Sequence, residues 1–177
     1  MWTRLLLPAA LVAAASPALA ALTIGAQAPD FRTQGALDGR AFPLKLSDQL
    51  ARGPVVLYFF PAAFTPGCNA EARAFSEAAD AFRAAGAQVI GMSADPIDKL
   101  QRFSVEHCAG RFPVAHADAA VIRGYDVALR GNGAMTSRTS YVIGRDGRIA
   151  YVHDDPAFAG HVTGTLAAVR ELGAAAD

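Results

Sequence analysis

Along this chain, apolar runs of strand length alternate with longer stretches of helical periodicity. Val55-Val56-Leu57-Tyr58-Phe59-Phe60 is a continuous apolar run with the length and composition of a buried strand. After Pro61 an Ala-rich stretch begins at Pro66 and runs to about Ala85. Within it Cys68, Ala72, Phe75, Ala79 and Phe82 recur at steps of four and three, which predicts one amphipathic helix. Thr65 stands where an N-cap belongs, Pro66 suits the first helical position, and Gly86 suits the C′ position. Cys68 then falls in the first turn of a helix that follows directly on a buried strand.

The same reading extends in both directions. Ala87 to Ser93, with Val89, Ile90 and Met92, predicts a second buried strand. Asp95-Pro96-Ile97-Asp98 reads as a second helix start, with Asp95 as N-cap and Pro96 at the first helical position. Ile97, Leu100, Ser104 and Cys108 share one side of that helix, whose expected stop is Gly110, so Cys108 is expected in its last turn. Phe112 to Ala115 predicts a short strand and Ala119 to Tyr125 a short helical piece. Ser140 to Ile143 and Arg148 to Val152 predict two strands joined through Asp146-Gly147, and Phe158 to Leu172 a closing amphipathic helix. Ahead of all these, Asp38-Gly39 predicts a hairpin between short extended pieces, Ser47 to Leu50 a brief helical turn, and Gly53-Pro54 a break before the strand at 55. Strands alternating with helices, closed by a hairpin and a helix, argue α/β layers around a central sheet. No repeat, low-complexity segment or second domain interrupts residues 21–177.

The first twenty residues depart from this pattern. A short start with one positive charge, Arg4, precedes an apolar stretch from Leu5 to Ala15, and Ala18-Leu19-Ala20 supplies a small-residue cleavage pattern. Residues 1–20 are therefore expected to be a signal peptide, cleaved after Ala20, and the protein to be exported. A membrane anchor is the rival; the apolar run falls short of the roughly 20 residues that span a bilayer. No later segment is long and apolar enough to cross a membrane, so no membrane association is expected after cleavage.

Charge adds an exclusion. Lys+Arg and Asp+Glu balance at 16 each without a basic patch, which argues against nucleic acid as a partner. The four histidines do not cluster, none has metal-ligand spacing, and no C-x-x-C occurs. Neither a metal nor an organic cofactor is expected, and thioredoxin-type disulfide exchange lacks its neighbouring second thiol.

Candidate chemistry centres on Cys68. A helix N-terminus offers unpaired N–H groups and the positive end of the macrodipole, and both stabilise a thiolate, the nucleophilic form of cysteine. A small buried cysteine at a tight turn is the alternative. After export, a plain structural disulfide between Cys68 and Cys108 is another. Thr65, three residues before Cys68, can share a helical turn with the sulfur. Glu71, one turn later, opposes a thiolate unless a cation such as Arg73 or Arg138 pairs with it.

The letters around Cys68 resemble a known family. P-x-x-x-T-x-x-C, here Pro61, Thr65 and Cys68, resembles the peroxiredoxin active site. T-P-G-C followed by Glu71 is similar to its bacterioferritin-comigratory, or Q-type, branch, and Gly25-Ala26-Gln27-Ala28-Pro29-Asp30-Phe31 resembles the start of the peroxiredoxin domain. A second motif, Arg138 followed by Thr139, Tyr141 and Ile143, resembles the family's R-[ST]-x-[FY]-x-I strand. The resemblance implies a thioredoxin-like fold, with a central mixed sheet flanked by helices and an N-terminal hairpin extension. It also implies a thiol peroxidase. In that reading the Cys68 thiolate attacks a hydroperoxide and becomes a sulfenic acid, Thr65 hydrogen-bonds the peroxide, and Pro61 shields the sulfur. Arg138 reaches the cysteine from the strand beside Phe60, and Glu71 supports the site from behind.

Many Q-type relatives carry the resolving cysteine five residues after the first, where this chain has Arg73. Other relatives carry it in the following helix, which points to Cys108 as the resolving residue, forty positions on. A one-cysteine route with Cys108 merely buried stays open. The implied partners are a hydroperoxide and a thioredoxin-like dithiol reductant, with the protein a monomer or weak homodimer and, given a Gram-negative envelope, periplasmic. A non-enzymatic redox sensor or a thiol–disulfide exchange protein on the same fold is the rival reading.

Overall fold

The computed structural model describes residues 21–175, so the expected signal peptide lies outside the described residues. Seven strands form one mixed sheet. In chain order they are β1 (Arg32–Leu37), β2 (Arg40–Lys45), β3 (Val55–Phe59), β4 (Gln88–Ser93), β5 (Val114–His116), β8 (Thr139–Ile143) and β9 (Ile149–Asp154), and across the sheet they run β2-β1-β5-β4-β3-β8-β9. The β3, β4 and β5 strands are parallel neighbours, while β8 joins β3 antiparallel. Every residue of β3 is buried. Its alternate side chains, Val55, Leu57 and Phe59 against Val56 and Tyr58, feed separate clusters on the two faces of the sheet, which is why the run shows no polar alternation.

Helices α1 (Leu46–Leu50) and α4 (Ala119–Gly124) cover one face. The other carries α2 (Pro66–Ala84), α3 (Ile97–Glu106) and α5 (His161–Ala174). The predicted stripe of α2 is its buried side: Cys68, Ala72, Phe75, Ala79 and Phe82 all face inward, and Phe75 stacks on Tyr58 of β3 with 4.3 Å between ring centroids. The hairpin predicted at Asp38-Gly39 is β1–β2; both turn residues have positive φ, 48° and 75°, as a two-residue turn of the I′ kind requires. It extends the sheet through antiparallel pairing of β1 with β5.

Three helix boundaries and one small sheet depart from expectation. Helix α3 begins at Ile97 with Pro96 in the N-cap position, because the Asp95 carboxylate is occupied elsewhere and caps nothing in α3. The same helix ends at Glu106, so Cys108 lies beyond it in a turn where Ala109 and Gly110 have φ of 50° and 62°. The α5 helix starts at His161, three residues late, after Gly160 with a left-handed φ of 96°. A small second sheet, β6 (Ala128–Leu129) with β7 (Asn132–Thr136), is absent from the sequence reading, since its Gly-rich, mostly exposed residues carry no period-two pattern.

Candidate active site

The Cys68 sulfur is placed by three elements. β3 delivers the chain to the buried floor, a loop from Phe60 to Thr65 turns it, and α2 begins at Pro66. Cys68 is only 2% exposed although it sits in the first turn of a helix. Thr65 occupies the N-cap position with extended φ and ψ, yet its side chain caps nothing. Its exposed hydroxyl instead donates to the Ala62 carbonyl at 3.0 Å. Pro61 is half-buried in the same loop. The loop is pinned from outside: the Ala63 N–H donates to Asp95 Oδ2 at 2.6 Å. Asp95 in turn accepts from Ser93 Oγ at 3.0 Å and from Lys99 Nζ at 2.7 Å. This explains why Asp95 is not the cap that the sequence pattern suggests.

Arg138 arrives from the far side of the sheet in sequence but from next door in space. Antiparallel pairing sets Thr139 opposite Phe59, so Arg138 stands just past the end of β3, at the loop. All three arms of its guanidinium are used. Nη2 lies 3.4 Å from Cys68 Sγ, Nη1 donates to Glu71 Oε2, and Nε donates to the Pro156 carbonyl at 2.9 Å. The side chain is buried. Gly67 makes room for it, since a Cβ there would come within 3.3 Å of Nη2.

Glu71 is wholly buried and not a solvated first-turn acid. Burial raises its carboxyl to about 7, against the pull of Arg138. Its second oxygen, Oε1, has no hydrogen-bond partner and lies 3.8 Å from His161 Nδ1. That imidazole is also wholly buried, and desolvation lowers it to about 4, so it is neutral at pH 7. Its Nε2 faces the Asp155 carbonyl at 3.0 Å, which can only accept. The ring proton therefore sits on Nε2, and Nδ1 accepts from Ser140 Oγ at 2.8 Å. His161 and Ser140 were missed in the sequence, where His161 stood isolated. The available signal was its spacing from Thr165, Ala168 and Val169, the other buried residues of α5.

Cys108 has none of this equipment. It is fully buried among Leu100, Phe103 and Phe112, and burial alone pushes its thiol up. Both cysteines are free thiols. The Cys108 carbonyl accepts from Ser76 Oγ at 3.2 Å. Ser76 follows Cys68 by eight residues along α2, about 12 Å at 1.5 Å per residue. Arg73, at the more usual resolving position, lies exposed on α2. Among the described residues no group of three or more His, Cys, Asp or Glu could hold a metal ion. A buried sulfur with a fixed cation against it can hold and use negative charge, and can orient a small polar molecule that reaches it.

Known proteins share this arrangement of elements. Residues 24–152 match the AhpC/TSA family. The chloroplastic peroxiredoxin Q of Oryza sativa subsp. japonica is 31% identical over 131 residues, covering 74% of this chain and 58% of its own length. The chain thus spans somewhat more than half of that relative. Among solved structures, peroxidoxin BcpB from Mycobacterium tuberculosis superimposes with a TM-score of 0.75 at 31% identity, over 84% of this chain and 97% of its own. Peroxiredoxin Q of Xanthomonas campestris does so with a TM-score of 0.69 at 25% identity, over 79% and 90%. The central mixed sheet with flanking helices is the thioredoxin-like fold of these proteins.

Proposed function

The chain belongs to the AhpC/TSA family, and from that premise and the contact between Arg138 and Cys68 we propose that it is a thiol peroxidase acting on hydrogen peroxide and organic hydroperoxides. The observation that carries the reading is Nη2 of a buried, fully anchored guanidinium 3.4 Å from Cys68 Sγ. The Cys68 thiolate attacks the terminal oxygen of the hydroperoxide. The S–O bond forms, the O–O bond breaks, and the leaving hydroxide or alkoxide takes a proton to give water or alcohol. Arg138 and the N–H groups of the α2 terminus put positive charge where the sulfur and both peroxide oxygens share a negative one. Thr65 Oγ1 stands at the exposed rim of the same turn with acceptor capacity for the peroxide O–H, and Pro61 limits water at the sulfur.

Cys108 is the resolving residue in this proposal. Its thiol attacks the Cys68 sulfenic acid, forming the S–S bond and releasing water. A Cα separation of at most about 7 Å is needed, so the start of α2 unwinds in that step. A dithiol protein of thioredoxin type then reduces the disulfide. The N-terminal apolar stretch supports export with cleavage after Ala20, and the protein works as a monomer or weak homodimer.

Peroxide consumption with dithiothreitol or a thioredoxin, by wild type and Cys68→Ser, tests the reading. The wild type turns over and the variant does not; equal rates end the proposal. Intact mass after one equivalent of peroxide tests the second half. Loss of two hydrogens supports the disulfide, and a lasting added oxygen supports a one-cysteine route.

A further inference from the structure

The loop that carries Cys68 contains a strained residue. Phe64 has φ of 68° and is the only aromatic among the described residues with a positive φ. A residue with a Cβ holds that conformation only when its surroundings enforce it. What enforces it here is α3. The Phe64 ring packs edge-on against Phe103 at 5.4 Å and against His107 at 5.5 Å between centroids. Phe103 shares an apolar cluster with Cys108, Phe64 packs against that cluster, and His107 is the chain neighbour of Cys108. The Phe103 carbonyl accepts the N–H groups of His107 at 3.0 Å and of Cys108 at 3.3 Å, and Cys108 is fully buried. The loop grips the other end of α3 too, through the Ala63 N–H on Asp95. The segment bearing Cys68 therefore clamps the helix that leads to Cys108 at both ends.

We propose that Phe64 is a positioning residue for the resolving step, sealing Cys108 while Cys68 is reduced and opening the path between the two sulfurs when it withdraws. This rests on the peroxidase reading with Cys108 as the resolving thiol. Phe64 lies four residues before Cys68, so unwinding the start of α2 pulls the ring away from Phe103 and His107. Release lets its backbone return to an ordinary φ, which offsets part of the lost packing and favours opening. The freed Cys108 thiol then attacks the Cys68 sulfenic sulfur. The S–S bond forms, the S–O bond breaks, and water leaves with the thiol proton.

The test uses the reduced full chain with Cys68→Ser, in which only Cys108 can be labelled, so it needs no peroxidase activity. Adding Phe64→Ala is expected to speed labelling of Cys108 by a small thiol reagent by about tenfold or more, with little dependence on low urea, the mark of local opening. Phe64→Leu, which refills the gap beside Phe103, restores most of the protection. In the chain with both cysteines, Phe64→Ala is expected to hasten disulfide formation after one equivalent of peroxide relative to trapping of the sulfenic acid by dimedone. Where Phe64→Ala does not fold, His107→Ala removes the same contact from the α3 side. Labelling that is unchanged, or that rises only in step with global unfolding by urea, overturns the proposal. Accelerated labelling in a chain that consumes no peroxide keeps Phe64 as the seal and instead sinks the peroxidase reading.

Discussion

Cys68 and Cys108 lie in the same apolar cluster, at 2% and 0% exposure, and share little else. Around Cys68 the chain assembles a helix N-terminus, a three-armed arginine, a buried carboxylate and a neutral imidazole. Around Cys108 there are aromatic and aliphatic side chains and a turn. Burial by itself favours the neutral thiol, as it does at Cys108. The two sulfurs thus differ in which groups reach them through the protein and not in access to water.

Removing the cation should make the first site resemble the second. Arg138→Ala is expected to slow oxidation of Cys68 by peroxide about 10²–10³-fold, the scale of losing one preorganised donor to developing charge. Arg138→Lys restores charge without the fork and should recover only part of that rate. Stopped-flow competition for peroxide measures both, and a loss under about threefold would mean the guanidinium is a bystander.

The buried carboxylate and imidazole behind Arg138 sharpen the contrast. Folding raises Glu71 from 4.5 to about 7 and lowers His161 from 6.5 to about 4. Between those values the folded pair keeps its one proton on Glu71, while the unfolded chain keeps one on the histidine. The proton counts match, so the pair leaves the stability of the wild type nearly flat between about pH 4.5 and 6.5. Each single variant exposes the other half. Glu71→Gln leaves His161, whose depressed value makes stability fall as pH drops from 6.5 towards 4. His161→Gln leaves Glu71, whose raised value makes stability fall as pH climbs from 4.5 towards 7. Each slope integrates to about 3 kcal/mol at 1.36 kcal/mol per pK step, and urea unfolding across the range measures it. Slopes of the same sign in the two variants would show that folding does not shift the two groups in opposite directions.

The smallest change adds one methyl group. Gly67→Ala presses a Cβ on Arg138 Nη2 from 3.3 Å, and a shift of a few tenths of an ångström in the fork should cost about threefold in the oxidation rate with stability kept. A rate equal to wild type would show that the fork tolerates displacement.

Much of this was legible before any coordinates. The apolar run of β3, the four-and-three stripe of α2 and the Asp-Gly turns are local signals, and each appears where expected. Arg138 was readable because its motif spans a strand, and strand register carries it to the loop. Asp95 misled, because its cap-like pattern is local whereas its partner, Ala63 N–H, is 32 residues away. Cys108 missed its helical turn because the stop comes one turn before the glycine. His161 and Ser140 carry no motif at all, and the antiparallel step from β8 to β9 and the packing of α5 bring them together.

Periodicity and turn chemistry act over a few residues, so the sequence by itself determined the elements of the main sheet and its helices, the thioredoxin-like order in which they follow, and a cysteine at the mouth of a helix. Which groups surround that cysteine, how deeply they are desolvated, which of Glu71 and His161 holds a proton, and how Phe64 packs against α3 were decided only by the tertiary structure. Those properties depend on distances between residues far apart in the chain and on the water excluded between them, and neither is encoded in any one stretch.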